Sequence, residues 1–397
     1  MKILLGILIG LGLTVTYAST LTLQKILLCA EEHNVMSKSF DQQALAIRAQ
    51  TLSDTANNPF GLYLEGSRAR PQLGTDGYEY AVGISKNIKL GNIQNQERTI
   101  ANLQTEASRI EAEKVLIDFR NGLKNIYHTH CLDVENYKNI KRSYKDLLTL
   151  YNKKQKAYKY QEISKSELMQ LENEKNRLLA QVQEMRMLQE ISKQKILMLS
   201  RTGYNKNTKL SCKDIYPIRS KIKLEHSFSL SKEAKKKRLQ SAKKSLSRYD
   251  NAFESVTING QYGKELDVDR YTIGISLPLS FTSERNEHAR VAAMHKASAI
   301  EYGFEQAMLE KKSLLKEFKA QLFNQALMIQ SLSKNYRNYK KKLLPLIKKS
   351  YNLGETSVIE YLLNRQQLYT LSQELHAHKK AYYNTLFRLY TLSEKKD

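Results

Sequence analysis

The chain has no tryptophan and, in 397 residues, only 5 prolines and 16 glycines. So few breakers exclude a fold built of many short elements and leave long uninterrupted ones. Long apolar runs are missing too. Beyond residue 18 none approaches the roughly twenty residues of a membrane-spanning helix, so the mature chain either is soluble or crosses a membrane by strands. The one apolar run, Ile3 to Leu13, follows Met1-Lys2 and leads into Thr16-Tyr17-Ala18. Charged start, short apolar centre and small-residue exit are those of a secretory signal peptide, so residues 1–18 are expected to be removed after Ala18.

Cysteine is sparse for an exported chain. Cys29, Cys131 and Cys212 are few and odd in number, so no disulfide framework is expected and any bridge would be incidental. Cys29 follows Leu28 instead of a small residue, which is not the setting of a lipid-attachment cysteine. Acidic residues are in deficit: 64 Lys and Arg against 40 Asp and Glu leave a net charge of +24. Such a balance ordinarily points to nucleic acid or anionic lipid, and export argues against nucleic acid. The lysines are dispersed among glutamates along helical stretches, as on solvated helix faces, apart from Lys235-Lys236-Lys237.

What the chain does contain is an internal duplication. Tyr-Ala-Val-Gly-Ile-Ser at 80–85 returns as Tyr-Thr-Ile-Gly-Ile-Ser at 271–276. Ala157-Tyr158-Lys159-Tyr160-Gln161-Glu162-Ile163-Ser164 likewise aligns with Ser350-Tyr351-Asn352-Leu353-Gly354-Glu355-Thr356-Ser357, each leading to a glutamate, Glu167 and Glu360. The offset drifts only from 191 to 193 residues, so one plan is written twice. A first copy at 19–210 and a second at 227–397 are joined by a linker, 211–226.

In the first copy, Leu23, Ile26, Leu27 and Ala30, then Ala44, Ile47 and Leu52, carry helical spacing from Thr22 to Ala56, and Asn57-Asn58-Pro59 stops it. The period then changes to two. Phe60, Leu62 and Leu64 oppose Tyr63, Glu65 and Ser67, and after a turn Tyr78, Tyr80, Val82 and Ile84 alternate with Glu79, Ala81, Gly83 and Ser85. Strands are expected at about 60–68 and 78–88, and in the second copy, by the same alternation, at 254–262 and 271–281. Breaker-free stretches at 92–160 and 283–353 read as helices of roughly 100 Å. Pro345 must kink or interrupt the second of these, and Gly354 permits its reversal into the final helix, 357–393. Its first-copy equivalent is 165–201. The expected fold is mainly α with a small β part, in which a duplicated unit gives long helical hairpins.

Four strands in two hairpins are too small a sheet to stand alone, and strands cross lipid only in closed barrels. An ordinary sheet packed on helices is the competing reading. The run Leu343-Leu344-Pro345 through Tyr351-Asn352-Leu353-Gly354-Glu355-Thr356-Ser357-Val358-Ile359-Glu360-Tyr361-Leu362-Leu363, the phrase Gly274-Ile275-Ser276-Leu277-Pro278-Leu279 and the opening Leu21-Thr22-Leu23 resemble the TolC family of outer-membrane efflux proteins, over essentially the whole mature chain. The Leu-Pro before the tip is closer to the heavy-metal and nodulation-type branch. The resemblance implies a homotrimer whose strands form one 12-stranded transmembrane β-barrel in outer-membrane lipid, continued by a helical barrel through the periplasm. A periplasmic adaptor and an inner-membrane pump would dock at its lower end, making the chain a passive efflux duct without cofactor, nucleic acid or chemistry of its own. A periplasmic coiled-coil structural or adaptor protein, and a duct for type I protein secretion, are the alternatives.

The resemblance also assigns places to residues. Glu360, with Glu167 as its first-copy counterpart, would ring the periplasmic entrance, where carboxylates at a constriction attract cations; the competing role is that of an acid near a helix start. The family's second acid, one turn on, is here Leu363. The tip turns Gly354, Glu355 and Ser357, with Gln161, Glu162 and Ser164, would contact the adaptor. Tyr78, Tyr80, Tyr262 and Tyr271, near strand ends, suit an interfacial aromatic girdle or else core packing. Metal binding at His128, His130 and Cys131 fails on geometry, because the two histidines lie about 200° apart on a helix, although His128 and Cys131 share a face. His376 and His378 fail by the same spacing.

Overall fold

The computed structural model describes residues 20–395, except 34, 71, 73, 75, 91, 203–207, 225–226, 250–252 and 280–283. The expected signal peptide therefore lies outside the described residues. Two compact units share the chain, the first comprising residues up to 34, 118–223 and 316–391, the second 35–117, 224–315 and 392 onward.

The first unit is helical. Strand β1 (Thr20–Leu21) pairs in parallel with β4 (Lys209–Leu210), and helix α1 (Leu23–Glu32) follows, its start capped by Thr22 Oγ1 accepting from Lys25 N–H. The sequence pattern expects one helix from Thr22 to Ala56. Instead the helix stops at His33, whose N–H donates to the Cys29 and Glu31 carbonyls, and α2 (Val35–Thr55) starts anew in the second unit. Helix α3 (Ile93–Lys159) runs unbroken for 67 residues. Its residues from Asp118 pack with α4 (Lys165–Leu199), the last part of α6 (Glu284–Asn338), α7 (Leu344–Asn352) and α8 (Val358–Leu392). Pro345 interrupts as its chemistry requires. It has no N–H to donate and its ring crowds the preceding turn, and the chain answers with a π-turn at Tyr339–Leu343, where Leu344 N–H reaches the Tyr339 carbonyl.

The linker is not a loose tether. Ser211 N–H donates to the Leu21 carbonyl, and Cys212 is bridged to Cys131 on α3. The cysteine count left room for a single bridge, and the folded linker supplies it by bringing together two thiols 81 residues apart. Tyr127 and Tyr383 donate to the Ser211 and Tyr216 carbonyls, while the Tyr382 hydroxyl accepts Arg219 N–H at 2.8 Å and donates to its carbonyl at 3.0 Å. Beneath the strap lie Leu23, Ile26, Leu27, Leu123, Ile196 and Leu197, all buried.

The second unit carries the sheet. Strands β2 (Gly61–Ala69), β3 (Gly77–Lys89), β5 (Ser255–Lys264) and β6 (Asp269–Ser276) pair antiparallel in the order β2-β3-β5-β6. The last strand ends earlier than expected because Pro278 cannot donate to a ladder; pairing resumes only as an isolated bridge, Phe253 to Leu279. At the foot of the sheet Glu97, 2% exposed, is clamped by Lys89 at 3.1 Å and Arg248 at 3.2 Å. The lysine run that stood out in the sequence lies on α5 (Ser229–Arg248), where Lys237 meets Glu106 at 2.6 Å and the next residue, Arg238, meets Glu111 at 2.7 Å.

Candidate functional site

Two places concentrate functional chemistry: the turns that join the helical hairpins in the first unit, and the sheet of the second.

The two turns are built alike. Gln161 and Gly354 sit in the left-handed region, with φ of 61° and 80°. Glu162 N–H reaches back to the Ala157 carbonyl and Gln161 N–H to that of Tyr158; Glu355 and Gly354 do the same to Ser350 and Tyr351. Both ends are thus Schellman motifs, in which a residue at positive φ lets two orphan carbonyls be satisfied. Glycine takes that φ freely, whereas glutamine holds it against its own Cβ. Three residues on, Ser164 and Ser357 cap the next helix, their hydroxyls accepting from Glu167 N–H at 3.1 Å and Glu360 N–H at 3.2 Å. Serine followed three residues later by glutamate is a helix-start signature, so backbone needs alone account for part of the repeated motif.

Beyond the backbone the copies diverge. The Glu167 carboxylate accepts from the Tyr351 hydroxyl at 3.0 Å and meets Lys154 at 3.2 Å, so it ties the first hairpin to the second. Glu360 is exposed at the surface. Tyr351 stacks on Tyr361 with ring centres 4.8 Å apart, and Lys154 lies 4.9 Å over the Tyr351 ring. Burial first, and then the Glu167 carboxylate, push the Tyr351 hydroxyl above its ordinary value, so it remains a donor. Arg365 adds a tie from α8 to α3 by donating to the Ser143 carbonyl at 2.7 Å. Leu147, Tyr151, Leu171, Val358 and Tyr361 fill the space between. Tyr160, Leu353, Ile359 and Leu363 are exposed around the turns.

The sheet divides cleanly by face. Leu62 pairs with Ile84, Leu64 with Val82, Val82 with Tyr262 and Tyr262 with Tyr271, so apolar side chains from all four strands share one side. That side is open: Leu64 is 74% exposed, Tyr78 79% and Ile273 85%. Tyr80, Tyr262 and Tyr271 form a ladder across three strands, with centroid spacings of 6.5 and 5.2 Å. Tyr78 joins the same face opposite Arg68, which brings the four tyrosines singled out in the sequence onto one side of the sheet. The other face is polar and bonded across strands. Tyr63 donates to Gln261 at 2.9 Å, and Asn87 to Thr257 at 2.9 Å. The glycine of each repeated phrase lies on this side for a steric reason. A Cβ at Gly83 would fall 2.2 Å from the Tyr63 ring, and one at Gly274 2.4 Å from Asn259 Oδ1. Among the described residues no helix is long and apolar enough to cross a membrane.

The histidines of α3 are structural. His128 Nδ1 donates to the Lys124 carbonyl at 2.7 Å, so its Nε2 accepts the Tyr216 N–H, at 3.0 Å. His130 is satisfied by Ser192 Oγ at 2.8 Å. Burial lowers both imidazoles to about 4. Asp133 pairs with His376 at 3.0 Å and Lys380 at 2.6 Å. Among the described residues no group of three or more His, Cys, Asp and Glu side chains is placed to hold a metal ion. The strap and its tyrosine anchors escaped sequence reasoning, although Cys212 and Tyr216 inside a supposed linker were the available signal.

No protein-family model and no curated protein matches the chain. Solved structures do. The CmeC outer membrane channel of Campylobacter jejuni superposes with a TM-score of 0.73 at 16% identity, over 94% of this chain and 86% of that one. CusC gives 0.74 at 15% identity, over 93% and 91% of the two chains. The open-state MtrE outer membrane channel of Neisseria gonorrhoeae gives 0.68 at 17%, over 94% and 89%. At such identities the likeness is one of fold, and this chain has the fold of these channels.

Proposed function

We propose that this chain is the outer-membrane duct of a tripartite export system, a passive trimer that carries small solutes out through periplasm and outer membrane. The observation that carries the reading is the sheet. Its four strands turn an open apolar face to one side and a bonded polar face to the other, and β2 and β6 leave their outer edges unpaired among the described residues. In water such a sheet exposes both a template for pairing and an apolar patch. In lipid, closure by further copies satisfies the edges and the apolar face becomes the outer wall. Three chains giving four strands each make a 12-stranded barrel, with Tyr78, Tyr80, Tyr262 and Tyr271 at the lipid interface. The likeness to outer-membrane channels supports this reading.

The hairpin turns are then the periplasmic entrance. Exposed Tyr160 and Leu353 beside Gln161, Glu162, Gly354 and Glu355 suit contact with an adaptor protein, which an inner-membrane pump would complement. Glu360 would contribute three carboxylates around the threefold axis, whereas Glu167 is engaged with Tyr351 and Lys154 and holds the hairpins together. The test is fractionation of cells making the tagged chain, with cross-linking of the extracted protein. Recovery with the outer membrane as a trimer is expected. A monomer in the soluble periplasmic fraction would end the proposal.

A further inference from the structure

Within the first unit, α3, α4, α8 and the turn from α6 into α7 enclose a cavity of about 360 Å³, within the range of small-molecule sites. The π-turn is part of its making. One extra residue in the turn at Tyr339–Leu343, together with Pro345, widens the helix on the side that lines the cavity. The rings of Tyr336, Tyr361 and Tyr369 and the side chains of Leu178, Leu344 and Leu368 provide apolar walls. Five basic side chains line it against two acidic ones. Of the acids, Glu174 is already paired with Arg177 through Nε and Nη2, each at 2.6 Å, which leaves Asp146 against the four other basic side chains. Arg365 donates to neutral oxygens, those of Ser143 and Tyr361, and lies 5.8 Å over the Tyr361 ring, while Lys340 meets the Tyr336 hydroxyl and lies 5.3 Å over that ring, so neither is paired with an acid among the described residues. Arg142 and Lys348 form no ion pair among the described residues. The space therefore combines an aromatic and leucine wall with an excess of positive charge.

We infer that this cavity binds a small aromatic anion, a carboxylate or sulfonate on one or two fused rings, with the rings against the leucine and tyrosine wall and the charged group towards Arg142, Lys340 and Lys348. Long flexible amphiphiles would not fit the enclosed volume, and a neutral arene would leave the excess positive charge unanswered. The site lies in the wall between helices and does not depend on the chain being a duct.

Calorimetric titration of the purified full-length protein with 2-naphthoate, and separately with 2-naphthamide, tests this. The carboxylate should bind, and the amide, alike in shape but uncharged, should bind roughly tenfold or more weakly, the usual scale for losing a charge-assisted contact. The double substitution Lys340→Gln/Lys348→Gln should weaken the carboxylate by a similar factor. Lys312→Gln/Lys319→Gln makes the same change in net charge on α6 away from the cavity and should leave binding intact. Equal binding of acid and amide, equal loss in both double variants, or no heat with 2-naphthoate up to millimolar concentration would overturn the proposal.

Discussion

Acidification is expected to loosen the strap at 211–219 where it crosses the first unit. Its central anchor is His128, fully buried, whose Nε2 accepts Tyr216 N–H. Burial holds the imidazole down to about 4 from an ordinary 6.5; the Lys124 ammonium acts in the same direction, while the Lys124 carbonyl and Asp214 oppose it. When the strap lifts, the ring regains water and its ordinary value. The open form therefore takes up a proton as pH falls below 6.5 and the closed form only near 4, so closure is fully favoured above that window and weakens across it. Between pH 7 and pH 5 the linkage is worth about 2 kcal/mol, a roughly twentyfold rise in the open population. Amide hydrogen exchange at 211–219, corrected for the intrinsic effect of pH, reads this directly. The wild type should lose protection by that factor, and His128→Gln, which keeps an acceptor but cannot titrate, should not. Equal pH profiles in the two proteins would refute the reasoning.

Other outcomes follow from the same geometry. Gly83→Val should cost about 1–3 kcal/mol of overpacking against the Tyr63 ring, whereas Gly66→Val, where a Cβ meets nothing within 4 Å, should be tolerated; denaturant midpoints of the assembled protein compare them. Gly354→Ala should destabilise by about 1 kcal/mol and Gln161→Gly should not, because both positions hold a left-handed backbone, and melting temperature reports the sign. Removing the bridge with Cys131→Ser/Cys212→Ser, or reducing it, should cost about 4.5 kcal/mol by loop entropy over 81 residues, seen as lower resistance of the strap to protease. Tyr351→Phe, which strips the Glu167 carboxylate of one donor, should cost about 1–3 kcal/mol and speed proteolysis at the hairpin turns.

The duplication was legible because it resides in local grammar: period-two strands, breaker-free helices, and a Ser-x-x-Glu after each turn. Pro345 announced an interruption for a reason any sequence displays, a missing N–H, but not that a π-turn would absorb it. The break at His33 was invisible because helical spacing continues through Ala44, and only packing assigns α1 and α2 to different units. Glu167 and Glu360 read as equivalents, and as helix caps they are. Their side chains differ because Tyr351 and Lys154, which engage Glu167, sit on other elements 184 and 13 positions away in the chain. The strap was illegible for the same reason: the pairing of Cys131 with Cys212 depends on where a supposed linker lies after folding.

The most direct measurement is single-channel recording of the purified full-length protein in a planar lipid bilayer, compared with Gly83→Val/Gly274→Val, which overpacks the polar face of the sheet at two places. A water-filled duct should give discrete channel events from a trimeric species, absent in the double variant. A wild-type protein that is monomeric and leaves the bilayer silent would contradict the reading of this chain as an outer-membrane duct.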